Sequence, residues 1–108
     1  MRPVIFHPAA RDVIRGFPRE VRDKLGRYLY ELQLGESLSM PQSRPMPSVG
    51  PGVAELRVRG ADGVYRAFYF APFEAGVLVF HAFHKKTQQT PQQELTLAKK
   101  RWKEAMNA

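Results

Sequence analysis

The run FHAFHKKTQQTP, residues 80–91, sets His81, His84, Lys85 and Lys86 where an apolar strand gives out, just before a proline. Histidine, or a lysine whose pKa is depressed by a neighbouring cation, can move protons near neutral pH. Upstream, VAELRVRG (53–60) and GVYRAFYF (63–70) carry Arg57, Arg59 and Arg66. The planar guanidinium suits both phosphate binding and the charge that builds as a phosphate is attacked. Metal-free RNA cleavage fits this set. A 2′-hydroxyl must lose a proton, a phosphorane must be stabilised, and a 5′-oxygen must regain a proton.

Strand geometry places Glu55, Arg57 and Arg59 on one face, and Ala54, Leu56 and Val58 on the other. A turn pairing Arg59 with Val64 sets Arg57 opposite Arg66, and like charges directly opposite destabilise an antiparallel pair. Glu55 can compensate in an Arg-Glu-Arg surface network, or a bound phosphate can. Carrying the register across the next turn, Phe70 with Val77, brings His81 opposite Arg66 and leaves Lys85 farther along that face. A slip of one residue exchanges these for His84 and Lys86, and the loop length leaves both registers open.

The elements that position these residues are legible. Val4-Ile5-Phe6 reads as a short strand, and Pro8 opens a helix running to about Gly16. After Phe17-Pro18, the residues Val21, Leu25, Tyr28, Leu29 and Leu32 recur at helical spacing, and Gly35 closes that helix. Residues 35–52, GESLSMPQSRPMPSVGPG, are rich in proline and glycine and are expected to form an irregular, mobile loop. Three strands follow, 53–59, 64–70 and 77–85, joined by short turns as an antiparallel meander. Thr90-Pro91-Gln92-Gln93 resembles a capping box with proline at the first helical position. The last helix has an apolar face of Leu95, Ala98, Trp102 and Ala105, and a basic face of Lys99, Lys100, Arg101 and Lys103.

The 108 residues suit a single domain, 1–108. A net charge of +7, from 17 Lys+Arg against 10 Asp+Glu, favours a polyanionic partner, since cations that neutralise phosphates release counterions. With no cysteine there are no disulfides, thiolate metal sites or Cys nucleophile, and a reducing cytoplasm is expected. Three scattered histidines argue against a metal site. No glycine-rich phosphate loop or nucleophile elbow occurs. No cofactor is expected, nor a secretory leader or a membrane-spanning segment.

The ordered set ELRVRG, GVYRAFYF and LVFHAFHKKTQQTP, followed by a basic helix, resembles the RelE/HigB-like toxins of bacterial type II toxin–antitoxin modules, in their phage-related branch. The resemblance covers most of the chain. It implies an α+β fold: a small antiparallel sheet with an N-terminal helical hairpin and a C-terminal helix. It also implies a ribosome-dependent mRNA endoribonuclease, an mRNA interferase held inactive by a cognate antitoxin of the HigA-type helix-turn-helix kind. By that likeness Arg66, His84, Lys85 and Lys86 carry the chemistry. Arg57 binds phosphate, and Arg59, Lys99, Lys100, Arg101 and Lys103 contact RNA on the 70S ribosome. Some relatives use a tyrosine near the C-terminal end; none follows Tyr69 here, which leaves the base to His84, His81 or Lys85. The alternatives are a ParE-like gyrase inhibitor on the same fold and a phage-derived nucleic-acid-binding accessory protein.

Overall fold

The computed structural model describes residues 1–85 and 90–107. The chain runs β1 (Val4–Phe6), α1 (Pro8–Arg15), α2 (Arg19–Gln33), β2 (Ser43–Pro45), β3 (Val53–Gly60), β4 (Gly63–Phe70), β5 (Val77–Lys85) and α3 (Gln92–Met106). The strands form one sheet in the order β1-β5-β4-β3-β2, antiparallel except for β1, which pairs parallel with β5. The expected α+β architecture is present, with one parallel pairing added.

Local chemistry accounts for the helix ends. His7 caps α1: its Nδ1 accepts from Ala9 N at 3.1 Å, with Pro8 at the first helical position. Helix α2 ends in a Schellman arrangement in which Gly35 N donates to Leu32 O and Glu36 N to Glu31 O. Gly35 takes φ 87° there, a conformation that favours glycine.

Alternation along the strands divides the core in two. Leu56, Val58, Tyr65, Ala67, Tyr69 and Val79 face the helical hairpin and pack on Val21, Leu25, Leu29 and Leu32. Phe68, Leu78, Phe80 and Phe83 face α3 and gather around Ala98, with Leu95 and Trp102 at the margin. Each fully buried aliphatic or aromatic side chain contributes about 1.5–3 kcal/mol, so both faces are firmly covered.

Residues 35–52 depart from the expected irregular loop. Ser43–Pro45 pair with Leu56, Glu55 and Ala54 as the edge strand β2, and Met46 and Val49 are buried in the core beneath α3. The prolines flank this ladder or sit on its outer edge, where a missing N–H is tolerated. The capping box is also corrected. Pro91 is the N-cap of α3, no side chain among the described residues caps the helix, and the Thr90 hydroxyl is engaged elsewhere.

Candidate functional site

The turn between β3 and β4 pairs Gly60 with Gly63, which sets Arg59 opposite Val64 and Arg57 opposite Arg66 as expected. Across β4 the register is Arg66↔Phe83 and Phe68↔His81, with a bulge that leaves Phe80 unpaired before Tyr69↔Val79. Three rows therefore cross the face that α3 partly covers: Arg59, Val64, Lys85; then Arg57, Arg66, Phe83; then Glu55, Phe68, His81. His81 and Lys85 lie on the arginine face, but His81 is opposite Phe68 and not Arg66. His84 lies opposite Tyr65, on the other face of the sheet.

Glu55 is fully buried and holds both arginines. Its Oε1 is 3.5 Å from Arg57 Nε and its Oε2 is 3.6 Å from Arg66 Nη1. The Arg-Glu-Arg network is thus a core feature rather than a surface one. Both separations exceed the roughly 2.7–2.9 Å of a charge-assisted hydrogen bond, so the attraction is mainly Coulombic. Burial raises the Glu55 carboxyl above its ordinary value while Arg66, Arg44 and Arg57 pull it back. Burial likewise lowers Arg66, against the pull of Glu55. An arginine stays protonated near neutral pH, and Glu55 is the acidic group placed against both Arg66 and Arg57. Three guanidiniums around one carboxylate leave this face positive. Arg66 Nη1 also donates to Thr90 Oγ1 at 3.1 Å, and its guanidinium lies 6.0 Å from the Phe83 ring centroid.

Exposure grades outward along the rows. Arg66 is completely buried, the Arg57 side chain is 16% exposed, Lys85 is half-buried and Arg59 is exposed. Lys86 lies outside the described residues.

The histidines are committed elsewhere. Arg101 Nη1 donates to His81 Nδ1 at 2.9 Å, which leaves Nε2 protonated to donate to Glu94 Oε1 at 2.7 Å. Burial holds His81 below the ordinary histidine value, with the nearby Arg101 adding to this and Glu94 opposing it. His84 stacks on Tyr65 with centroids 4.0 Å apart and planes 6° apart, and its Nε2 lies 2.9 Å from Asp62 O. Tyr65 donates to Asp62 Oδ1 at 2.6 Å, a bond that pushes its phenol up to about 12. The expected convergence of His84 with Arg66 is therefore overturned.

The basic helix face also divides. Lys100 and Lys103 are exposed and Lys99 is half-buried. Arg101 turns inward and also donates to Phe80 O at 3.3 Å, so it fastens α3 to β5 instead of facing solvent. Sequence reasoning missed Thr90 as a partner of Arg66 and Arg44 as a third cation opposite Glu55. It also missed a cavity of about 250 Å³ that brings Lys24 and Tyr28 of α2 to Arg57 and Arg59 at the edge of β3. Nothing in the sequence periodicity relates a helix face to a particular sheet edge.

Among the described residues, no group of three or more His, Cys, Asp or Glu is placed to hold a metal ion, and no helix is long and apolar enough to cross a membrane.

Fold and site together define a small α+β domain with a cationic sheet face built on paired strand arginines. The family model Phage derived protein Gp49-like (DUF891) matches residues 12–103, from within α1 to within α3, and the chain belongs to that Gp49-like, phage-derived family. None of the curated proteins matches the chain.

Proposed function

We propose that this Gp49-like protein is a toxin of the RelE/HigB-like kind, a ribosome-dependent endoribonuclease that cuts mRNA and so inhibits translation. The observation that carries this reading is the Arg57–Arg66 pair held over the buried Glu55 and rimmed by Arg59 and Lys85. Such an array has an excess of fixed positive charge where a phosphorane would need it, and preorganised charge in a water-poor site is a large catalytic term. Arg57, the more exposed of the pair, meets the scissile phosphate, and Arg66 stands behind it as a fixed charge. In the reaction the 2′-oxygen bonds to phosphorus and loses its proton, while the bond to the 5′-oxygen breaks and that oxygen gains a proton. Lys85 and Lys86 are the residues proposed for proton transfer and charge neutralisation. Lys99, Lys100 and Lys103 supply ribosomal RNA contacts and Arg59 contacts RNA at the rim of the site, consistent with the +7 charge. A helix-turn-helix antitoxin of the HigA type is the proposed partner and the cytoplasm the proposed site of action.

The test maps RNA 5′ ends by primer extension in a purified translation mixture, with and without the protein, beside the same mRNA lacking ribosomes. New ends within codons only when ribosomes are present are expected, and they should fade in Arg57→Gln and Lys85→Gln variants. An unchanged transcript from folded protein overturns the reading.

One observation favours a second reading, a ParE-like gyrase inhibitor that cuts nothing. Among the described residues, the histidine on the arginine face, His81, has both ring nitrogens engaged, and His84 is on the far face. Inhibited supercoiling by purified gyrase with intact transcripts would select it.

A further inference from the structure

Strand β2 pairs with β3 only as far as Leu56, so beyond that residue the edge of β3 is left to other elements. Helix α2 and the turn before β2 meet it there, around the cavity of about 250 Å³. The turn is anchored by Arg57 N donating to Gln42 O at 2.9 Å, which fixes one wall. Lys24 and Tyr28, four positions apart on α2 and hence on one helical face, line it together with Arg57 and Arg59. Among the described residues, three cations line the space and no carboxylate does. Tyr28 is half-buried against the hairpin core, so its ring is held in place while part of it stays open.

The volume lies below the roughly 300–1,000 Å³ of a pocket for a drug-sized ligand, which suits one unit of a polymer better than a free metabolite. A flat ring beside clustered cations is the combination that grips single-stranded nucleic acid, with the base stacked and the backbone phosphate neutralised. We infer that the cavity is a subsite for one nucleotide of an RNA strand, with the base laid on Tyr28 and its phosphate held by Lys24 and Arg59. Arg57 lines this cavity and also belongs to the Glu55 network, so a nucleotide seated there passes its neighbouring phosphate to the arginine pair. This deepens the RNA-cleaving reading and rests on it for the choice of RNA as the polyanion. Because stacking accepts any base, the subsite positions the strand without selecting its sequence.

The test is fluorescence anisotropy with dye-labelled oligoadenylate and oligouridylate octamers, free of ribosomes, across 50–200 mM salt. Variants are Tyr28→Leu, Tyr28→Phe and Lys24→Gln, each checked for folding by thermal melting. Tyr28→Leu is expected to weaken binding about 5- to 150-fold, the range for loss of one base–aromatic stack. Tyr28→Phe should bind like the parent, and Lys24→Gln should flatten the salt dependence by about 0.7 in slope for a single strand. Wild-type affinity in a folded Tyr28→Leu variant, or an octamer that the parent protein does not bind, overturns the inference. Should Tyr28→Leu fail to fold, the Lys24→Gln slope decides: an unchanged slope overturns it. Tyr28-dependent binding without ribosomal cleavage would keep the subsite and remove the nuclease. Cleavage with Tyr28-independent binding would do the reverse.

Discussion

Glu55→Gln preserves the shape of a buried side chain and deletes the charge between two arginines. With separations of 3.5 and 3.6 Å, each ion pair is worth about 4–5 kcal/mol at an effective dielectric constant near 20. Desolvation offsets much of this, since Glu55 and Arg66 are both fully buried. Removing one partner nevertheless leaves the other charge stranded, and such losses run to about 3–5 kcal/mol. For a chain of 108 residues that corresponds to a fall in Tm of about 13–22 °C. Urea denaturation followed by tryptophan fluorescence, with calorimetry beside it, measures both quantities. A coupled control is the Glu55→Met/Arg66→Met double variant, which should be less destabilised than the sum of its singles, because the stranded charges leave together. A Glu55→Gln protein within about 1 kcal/mol of the parent, or additive single and double variants, would refute the claim that Glu55 is the counter-ion holding this face together.

Three further outcomes follow from the same geometry. His81 is buried neutral with its folded pKa depressed, so its contribution is whole above about 6.5 and is lost as pH falls toward the depressed value. The parent should therefore lose stability below pH 6.5 more steeply than His81→Gln, as read by urea midpoints. The depressed His7 acts in the same direction and the raised Glu55 in the opposite one, but both are common to the two proteins. His84→Ala should lower stability by about 0.5–1.5 kcal/mol through loss of the Tyr65 stack while primer-extension cuts persist, because the imidazole is on the face away from Arg66. A Cβ on Gly50 would sit 2.6–2.8 Å from three atoms of the Trp102 ring, so Gly50→Ala should displace α3, change the tryptophan emission and lower stability by about 1–3 kcal/mol in a denaturant titration.

Much of this protein is decided by local chemistry and can be read from residue order alone. Alternation in VAELRVRG and GVYRAFYF settles which residues share a face, and the short Gly60–Gly63 turn leaves one register, so Arg57 opposite Arg66 needs no tertiary knowledge. Helical spacing likewise places Val21, Leu25, Leu29 and Leu32 on the buried stripe of α2. The positions of the histidines were not available in that way. The turn from β4 to β5 pairs Phe70 with Leu78, not Val77, and the bulge at Phe80 adds one further residue of offset, moving His81 two places from Arg66 while keeping it on the same face. A bulge is an accommodation between strand twist and the packing of both faces, here Phe80 under α3 and Val79 over the hairpin, and the local sequence does not encode it. Tertiary structure also made residues 43–45 a strand by offering them the open edge of β3, and turned Arg101 inward by supplying Phe80 O and His81 as partners. It assembled the cavity of Lys24, Tyr28, Arg57 and Arg59 from elements whose separate periodicities contain no common reference. Short-range patterns determine which way a side chain points relative to its own backbone; which charges then meet depends on the packing of those backbones against one another.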